Sequence, residues 1–161
     1  MNQDLIRQLG YANLDTRLKR ISDKMTHSLR AMYKELNIDV EPSWYLVLLI
    51  VKSCPNSSIM EIANKLKFTH QSINTMTNKM ITKDYLIKAK DSVDKRKTVF
   101  NLTKKAHENL PLFTKIWEIG KEVTFELLNE DVLIIEHLEV LESNLEDNSF
   151  GNRIIEKINN K

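Results

Sequence analysis

Turn formers are scarce in this sequence, with three Gly and three Pro among 161 residues. Together with 42% apolar and 29% charged residues, that scarcity describes a soluble, helix-rich chain of about one domain, long enough to bury a core of ordinary size. Cysteine is limited to Cys54, which excludes an internal disulfide; a lone cysteine among apolar neighbours is expected to be a small buried hydrophobe. Long apolar runs are missing as well. The longest, Trp44 to Val51, is far short of the roughly 20 residues of a membrane span. The N-terminal MNQDLIRQLGYANLD has no apolar core followed by a small-residue cleavage site, so it does not read as a signal peptide. A cytoplasmic protein with no membrane partner is the expectation.

Neither sign of charge is in large excess, with 24 Lys and Arg against 22 Asp and Glu. The average hides an asymmetry. From Ser58 to Lys105 eleven basic residues face four acidic ones, whereas the remainder of the chain has thirteen against eighteen. A basic island between acidic flanks is the electrostatic footprint of a nucleic-acid face. Its densest stretch, DSVDKRKT from Asp91 to Thr98, would alone be an ordinary solvated turn. Its surroundings decide what it does.

Leu14, Leu18, Ile21, Met25, Leu29, Met32 and Leu36 follow one another at intervals of three and four, one stripe of a long amphipathic helix. That helix should stop near Asn37, which tolerates left-handed backbone. Pro42 suits a first helical turn, and Trp44 to Val51 form a short, largely buried second helix closed by Cys54-Pro55-Asn56. Ser58 with Glu61 three residues on is a capping box, opening a third helix with Ile59, Ile62 and Leu66 inward. Thr69 is placed to cap a fourth, with Ile73, Met76 and Met80 inward; two short helices joined by a tight turn make a helix-turn-helix. The outer face of that fourth helix carries His70, Gln71, Ser72, Asn74, Thr75, Asn78 and Lys79. Short neutral hydrogen-bonding side chains replace the Glu and Lys that form helices better, as on a surface chosen for contact.

YLIKAKD and TVFNL then read as a β-hairpin around the loop of residues 91–97. Thr103 can cap a helix that carries Leu110, Phe113, Trp117, Val123 and Leu127 past Pro111. After a break at residues 129–131, a last helix carries Ile134, Leu138, Leu141 and Leu145, and SFGNRIIEKI adds a turn or two. No repeat or linker divides the chain.

In this order of elements, SIMEIANKL, THQSINTMTNKM and KAKDSVDKRKTVFNLTKKA resemble the MarR family of winged-helix transcription regulators. The third stretch looks like the family's wing signature, carried by Asp94, Arg96, Leu102 and Thr103, and the likeness covers nearly the whole chain. It implies a mainly α fold, a winged helix-turn-helix with an α/β wing hairpin, in a single domain of residues 1–161. Dimerisation helices would lie at 1–37 and 104–161, and the DNA-binding lobe at 41–103. Two positions depart from the family pattern. Where members often carry Gly, before the recognition helix and at its exit into the hairpin, this chain has Lys67 and Asp84. If the backbone is left-handed there, Lys67 is the costlier of the two.

The resemblance also implies residue roles. The second helix of the helix-turn-helix lies in the major groove. His70, Gln71, Ser72, Asn74 and Thr75 are then candidates for base contact, with Gln71 and Asn74 suited to adenine edges. Ser58, Thr69 and Lys79 fit phosphate contacts, which fix register without reading sequence. The wing tip follows the flanking minor groove, with Arg96 as the probe and Asp94 as the carboxylate that fixes its guanidinium by a paired hydrogen bond. Lys88, Lys90, Lys95 and Lys97 supply phosphate charge. The stripes at the two ends are too long for the lobe to cover, so a homodimer on a near-palindromic duplex operator is expected, with repression the simpler mode of action. In the family a small-molecule effector often binds between the dimer-forming helices and the lobe; Tyr11, Tyr33, Trp44 and Tyr45 lie on segments that could line such a pocket.

No catalytic constellation is legible. His27, His70, His107 and His137 are scattered without metal-ligand spacing, there is no glycine-rich phosphate loop, and Cys54 has no evident basic partner. Neither an enzyme nor a cofactor or metal is expected. The remaining rival is a winged-helix module that binds protein or RNA and not duplex DNA, since fold does not determine function. The basic island and the Asp94/Arg96 pair favour DNA.

Overall fold

The structure is a computed structural model that describes residues 4–160. Its elements are those the apolar spacing predicts, with a few additions. Helix α1 (Leu5–Gln8) and a 3-10 turn (Gly10–Asn13) lead into the long helix α2 (Leu14–Glu35). The end of α2 is a left-handed closure: Asn37 sits at φ 55, and the Ile38 amide donates to the Tyr33 carbonyl at 2.8 Å. Tyr33 is the buried residue of α2, while Leu18, Ile21, Met25 and Leu29 of the predicted stripe are exposed.

Next come α3 (Trp44–Ser53), the two-residue strand β1 (Ser57–Ser58), α4 (Ile59–Leu66), α5 (His70–Thr82), the strands β2 (Leu86–Lys90) and β3 (Thr98–Leu102), and α6 (Lys104–Leu127). The sheet has the order β1-β3-β2 and is antiparallel, with Ser58 opposite Val99 and Lys88 opposite Phe100. Val47, Leu48, Ile62, Ile73, Met80 and Phe100 are fully buried, joining α3, α4, α5 and β3 in one core. Each contributes about 1.5–3 kcal/mol by leaving water. That core fixes α5 and the hairpin to the same lobe.

The chain divides into two compact units, Met1–Pro111 and Leu112–Lys161. Helix α6 runs continuously past Pro111, where the proline withholds one backbone donor, and the division falls at that residue. In the second unit a turn with Asn129 and Glu130 at positive φ precedes α7 (Leu133–Asp147) and α8 (Phe150–Asn159). The predicted positions Ile134, Leu138 and Leu141 are half-buried, and Leu145 is exposed. The last segment makes a full ten-residue helix, longer than the turn or two read from the sequence. Ser149 caps it by accepting from the Asn152 amide at 3.2 Å, and Arg153 donates to the Asn144 and Asn148 carbonyls at the end of α7.

The expected burial of Cys54 does not hold. Cys54 is exposed, not buried; it caps the end of α3 at φ −132, ψ 82. It also has a basic partner, since Lys65 Nζ lies 3.1 Å from its sulfur and holds the thiol below its ordinary value. No helix among the described residues is long and apolar enough to cross a membrane.

Candidate nucleic-acid interface

The capping signals in the sequence build the helix-turn-helix. Ser58 Oγ accepts from the Glu61 amide at 3.3 Å, while Glu61 Oε2 accepts from the Ser58 amide at 2.7 Å, so both halves of the box are formed. At the turn, Lys67 adopts φ 54, ψ 32, and the Phe68 amide donates to the Ala63 carbonyl at 3.1 Å. Thr69 then caps α5 by accepting from the Ser72 amide at 3.1 Å. Asp84, at the exit into the hairpin, is also left-handed with φ 59. Both places where glycine is missing therefore keep the conformation glycine would favour.

Helix α5 is amphipathic in an uncommon way. Ile73, Thr77 and Met80 are buried, and Thr77 Oγ1 is satisfied by the Asn74 carbonyl at 3.2 Å. His70, Gln71, Ser72, Asn74, Thr75, Asn78 and Lys79 are all exposed. No carboxylate stands on that helix, so nothing on it repels a polyanion. The wing is tied to this face: Lys88 Nζ of β2 donates to Asn78 Oδ1 at 2.9 Å, and the Asn78 amide lies 3.4 Å from Asn74 Oδ1.

The wing loop is ordered by its acids. Asp91 Oδ1 accepts from the Val93 and Asp94 amides, both at 2.9 Å, which holds its carboxyl below the usual value. Asp94 Oδ1 accepts from the Arg96 amide at 3.0 Å and from Arg96 Nε at 3.3 Å. This single side-chain bond through Nε replaces the expected paired one. The Arg96 side chain is 93% exposed. Lys90 and Lys95 are exposed too. Lys97 is different, because its Nζ lies 2.8 Å from Glu61 Oε1. Ser58 is also committed: it is only 6% exposed, and its hydroxyl donates to Glu61 Oε2 at 2.8 Å.

Of the four aromatic residues proposed for an effector pocket, two come together. Tyr33 and Trp44 line a groove of about 620 Å³ with Arg30, Ile38, Lys79 and Lys83, so α2, the Ile38–Glu41 segment and α5 share one recess. Tyr11 is 96% exposed on the 3-10 turn and Tyr45 is partly exposed on α3; neither lines this groove. Beside it lies a network the sequence does not announce. Tyr85 Oη donates to Asp39 Oδ1, while Lys105 Nζ reaches Asp39 Oδ2 at 2.8 Å and the Lys83 carbonyl at 2.9 Å, lying 4.3 Å over the Tyr85 ring. Burial, then the Asp39 carboxylate, raises the Tyr85 phenol above its ordinary value. The partners lie up to 66 residues apart, so only the fold brings them together.

Two adjoining helices, the second with a polar outer face, followed by a hairpin with an exposed arginine, define a winged helix-turn-helix. Residues 38–97 match the sequence model of the MarR family. The chain is similar in fold to a MarR protein from Peptoclostridium difficile, at 23% identity and a TM-score of 0.72, covering 94% of this chain and 98% of that one. It is similar to Streptococcus pneumoniae FabT, solved in complex with DNA, at 19% identity and a TM-score of 0.65, covering 85% and 98%. It is also similar to S. aureus MepR, solved as a DNA complex, at 16% identity and a TM-score of 0.63, covering 83% and 94%. No curated protein matches the chain in sequence.

Proposed function

We propose that this chain is a sequence-specific regulator of transcription that binds double-stranded DNA without catalysing a reaction. The observation that carries this reading is the union, on one lobe, of a carboxylate-free, wholly exposed α5 face with a wing whose exposed Arg96 side chain bonds Asp94 through Nε. His70, Gln71, Ser72, Asn74 and Thr75 would meet base edges in the major groove, and Thr69 and Lys79 would fix register on phosphates. Arg96 would enter the flanking minor groove, with Lys88, Lys90 and Lys95 adding phosphate charge. FabT and MepR, similar in fold, are each solved on DNA, which supports the same partner here.

The remaining parts of the reading follow from what the lobe leaves uncovered. Leu18, Ile21, Met25 and Leu29 expose an apolar face of α2, and Ile154, Ile155 and Ile158 expose one of α8. A second copy would cover such faces, with residues 1–37 and 104–161 as dimerisation helices around a DNA-binding lobe at 41–103. A two-fold dimer presents two α5 helices and so reads a near-palindrome. Occupying a promoter in this way represses it. The Tyr33/Trp44 groove, which borders α5 through Lys79 and Lys83, would admit a small effector that releases DNA. Fluorescence anisotropy with labelled duplex DNA, duplex RNA and single strands at low salt tests the reading. Preference for duplex DNA supports it, and equal or stronger binding to RNA refutes it.

A further inference from the structure

One carboxylate joins the two halves of the proposed interface. Glu61 Oε2 accepts from the Ser58 amide at 2.7 Å and the Ser58 hydroxyl at 2.8 Å, at the head of the helix-turn-helix. Its other oxygen, Oε1, accepts from Lys97 Nζ at 2.8 Å, at the root of the wing. The sheet explains the meeting: Ser58 pairs with Val99, which brings Lys97, the residue just before β3, to the first turn of α4. The backbone of Lys97 is fixed as well. Its amide donates to the Asp94 carbonyl at 2.9 Å and its carbonyl accepts from the Asp91 amide at 3.0 Å. Lys97 is where the loop stops and the anchored strand begins.

A phosphate that approached Lys97 would have to displace a carboxylate already at hydrogen-bond distance. One ion pair would be exchanged for another, and the released Glu61 would face the phosphate with like charge. A lysine that carries its own counter-charge also releases few counterions on binding DNA. Ser58 is in the same position, since its hydroxyl already serves the Glu61 carboxylate and amide.

We propose that Glu61 withdraws Lys97 and Ser58 from the phosphate-contact set and uses them to fasten the wing to the helix-turn-helix, which makes Glu61 and Lys97 positioning residues. The pair stands on geometry, while its consequence for binding rests on the DNA reading given above. The hydrogen bonds from Lys97 and Ser58 hold the Glu61 carboxyl down to about 2.

The test compares wild type, Lys95→Ala, Lys97→Ala and Glu61→Gln on one duplex that the wild type binds, across a salt series. Glutamine at this position can still complete the capping box, so Glu61→Gln removes the charge and keeps the helix start. Lys95→Ala should lower the log–log salt slope by about 0.9 and Lys97→Ala by less than about half of that, whereas Glu61→Gln should steepen it by about 0.9 as Lys97 is set free. Equal losses for the two lysine variants, with no gain for Glu61→Gln, would overturn the proposal. A second arm needs no DNA. The Glu61 carboxyl-carbon NMR shift should titrate higher in Lys97→Ala than in wild type, and the wing amides should exchange faster. Identical titration in both proteins would overturn the pair. A wild type that bound no duplex at low salt would overturn the functional reading, and the titration would still decide the pair.

Discussion

Replacing Lys67 by glycine should leave the protein more stable than replacing it by alanine. Lys67 is held at φ 54, ψ 32 at the end of α4, where the Phe68 amide donates to the Ala63 carbonyl at 3.1 Å and its own amide to the Asn64 carbonyl at 3.4 Å. Both are backbone bonds of a Schellman closure, and both survive loss of the side chain. An L-residue in left-handed backbone costs about 1–2 kcal/mol. Glycine removes that cost but loses about 0.5–1 kcal/mol more chain entropy on folding. The central values differ by about 0.75 kcal/mol in favour of glycine, or about 1.5–3 °C in Tm for a chain of this size. Lys67→Ala is the control, since it loses the same side chain but keeps the Cβ. Urea unfolding should show a higher midpoint for Lys67→Gly than for Lys67→Ala at an unchanged slope. Equal midpoints would show that the strain assigned to this turn is not there.

Arg96→Ala should weaken duplex binding by about 1–3 kcal/mol, more than the loss of any single wing lysine, and anisotropy at fixed salt reads this directly. Phe100→Ala should cost about 3–5 kcal/mol of stability in urea unfolding, because the ring is fully buried on the central strand of the sheet. Tyr85 gives a pH signature. Its phenol is raised above 10.0 in the folded chain, so the neutral form is favoured there while the unfolded chain ionises near the ordinary value. Its contribution to stability is complete below about pH 10 and is lost as pH rises toward the folded value, whereas Tyr85→Phe should lack this alkaline decline.

What was legible in the sequence is what local physics dictates. The stripe from Leu14 to Leu36, the Ser58/Glu61 box and the Thr69 cap each lie within one helix or its first turn, and each formed where the spacing puts it. The hairpin boundaries and the two left-handed positions at Lys67 and Asp84 were equally local. The strand Ser57–Ser58 was missed because two serines carry no period and look solvent-facing, although pairing with Val99 and Phe100 buries them. Contacts distant in sequence were hidden for a different reason. Glu61 and Lys97 lie 36 residues apart, Asp39 and Lys105 lie 66 apart, and nothing short of the folded sheet and core brings them together. Cys54 misled because it follows closely on the apolar run from Trp44 to Val51, whereas it stands beyond the last residue of α3 and is exposed.

That α5 and the wing read duplex DNA is tested most directly by selecting genomic fragments at low salt with the wild type and with an Asn74→Ala/Arg96→Ala variant. The wild type should enrich a small set of fragments sharing a near-palindrome, with half-sites about one helical turn apart, and the variant should lose that enrichment. Failure of the wild type to enrich any fragment at low salt, or equal enrichment by the variant, would contradict the assignment.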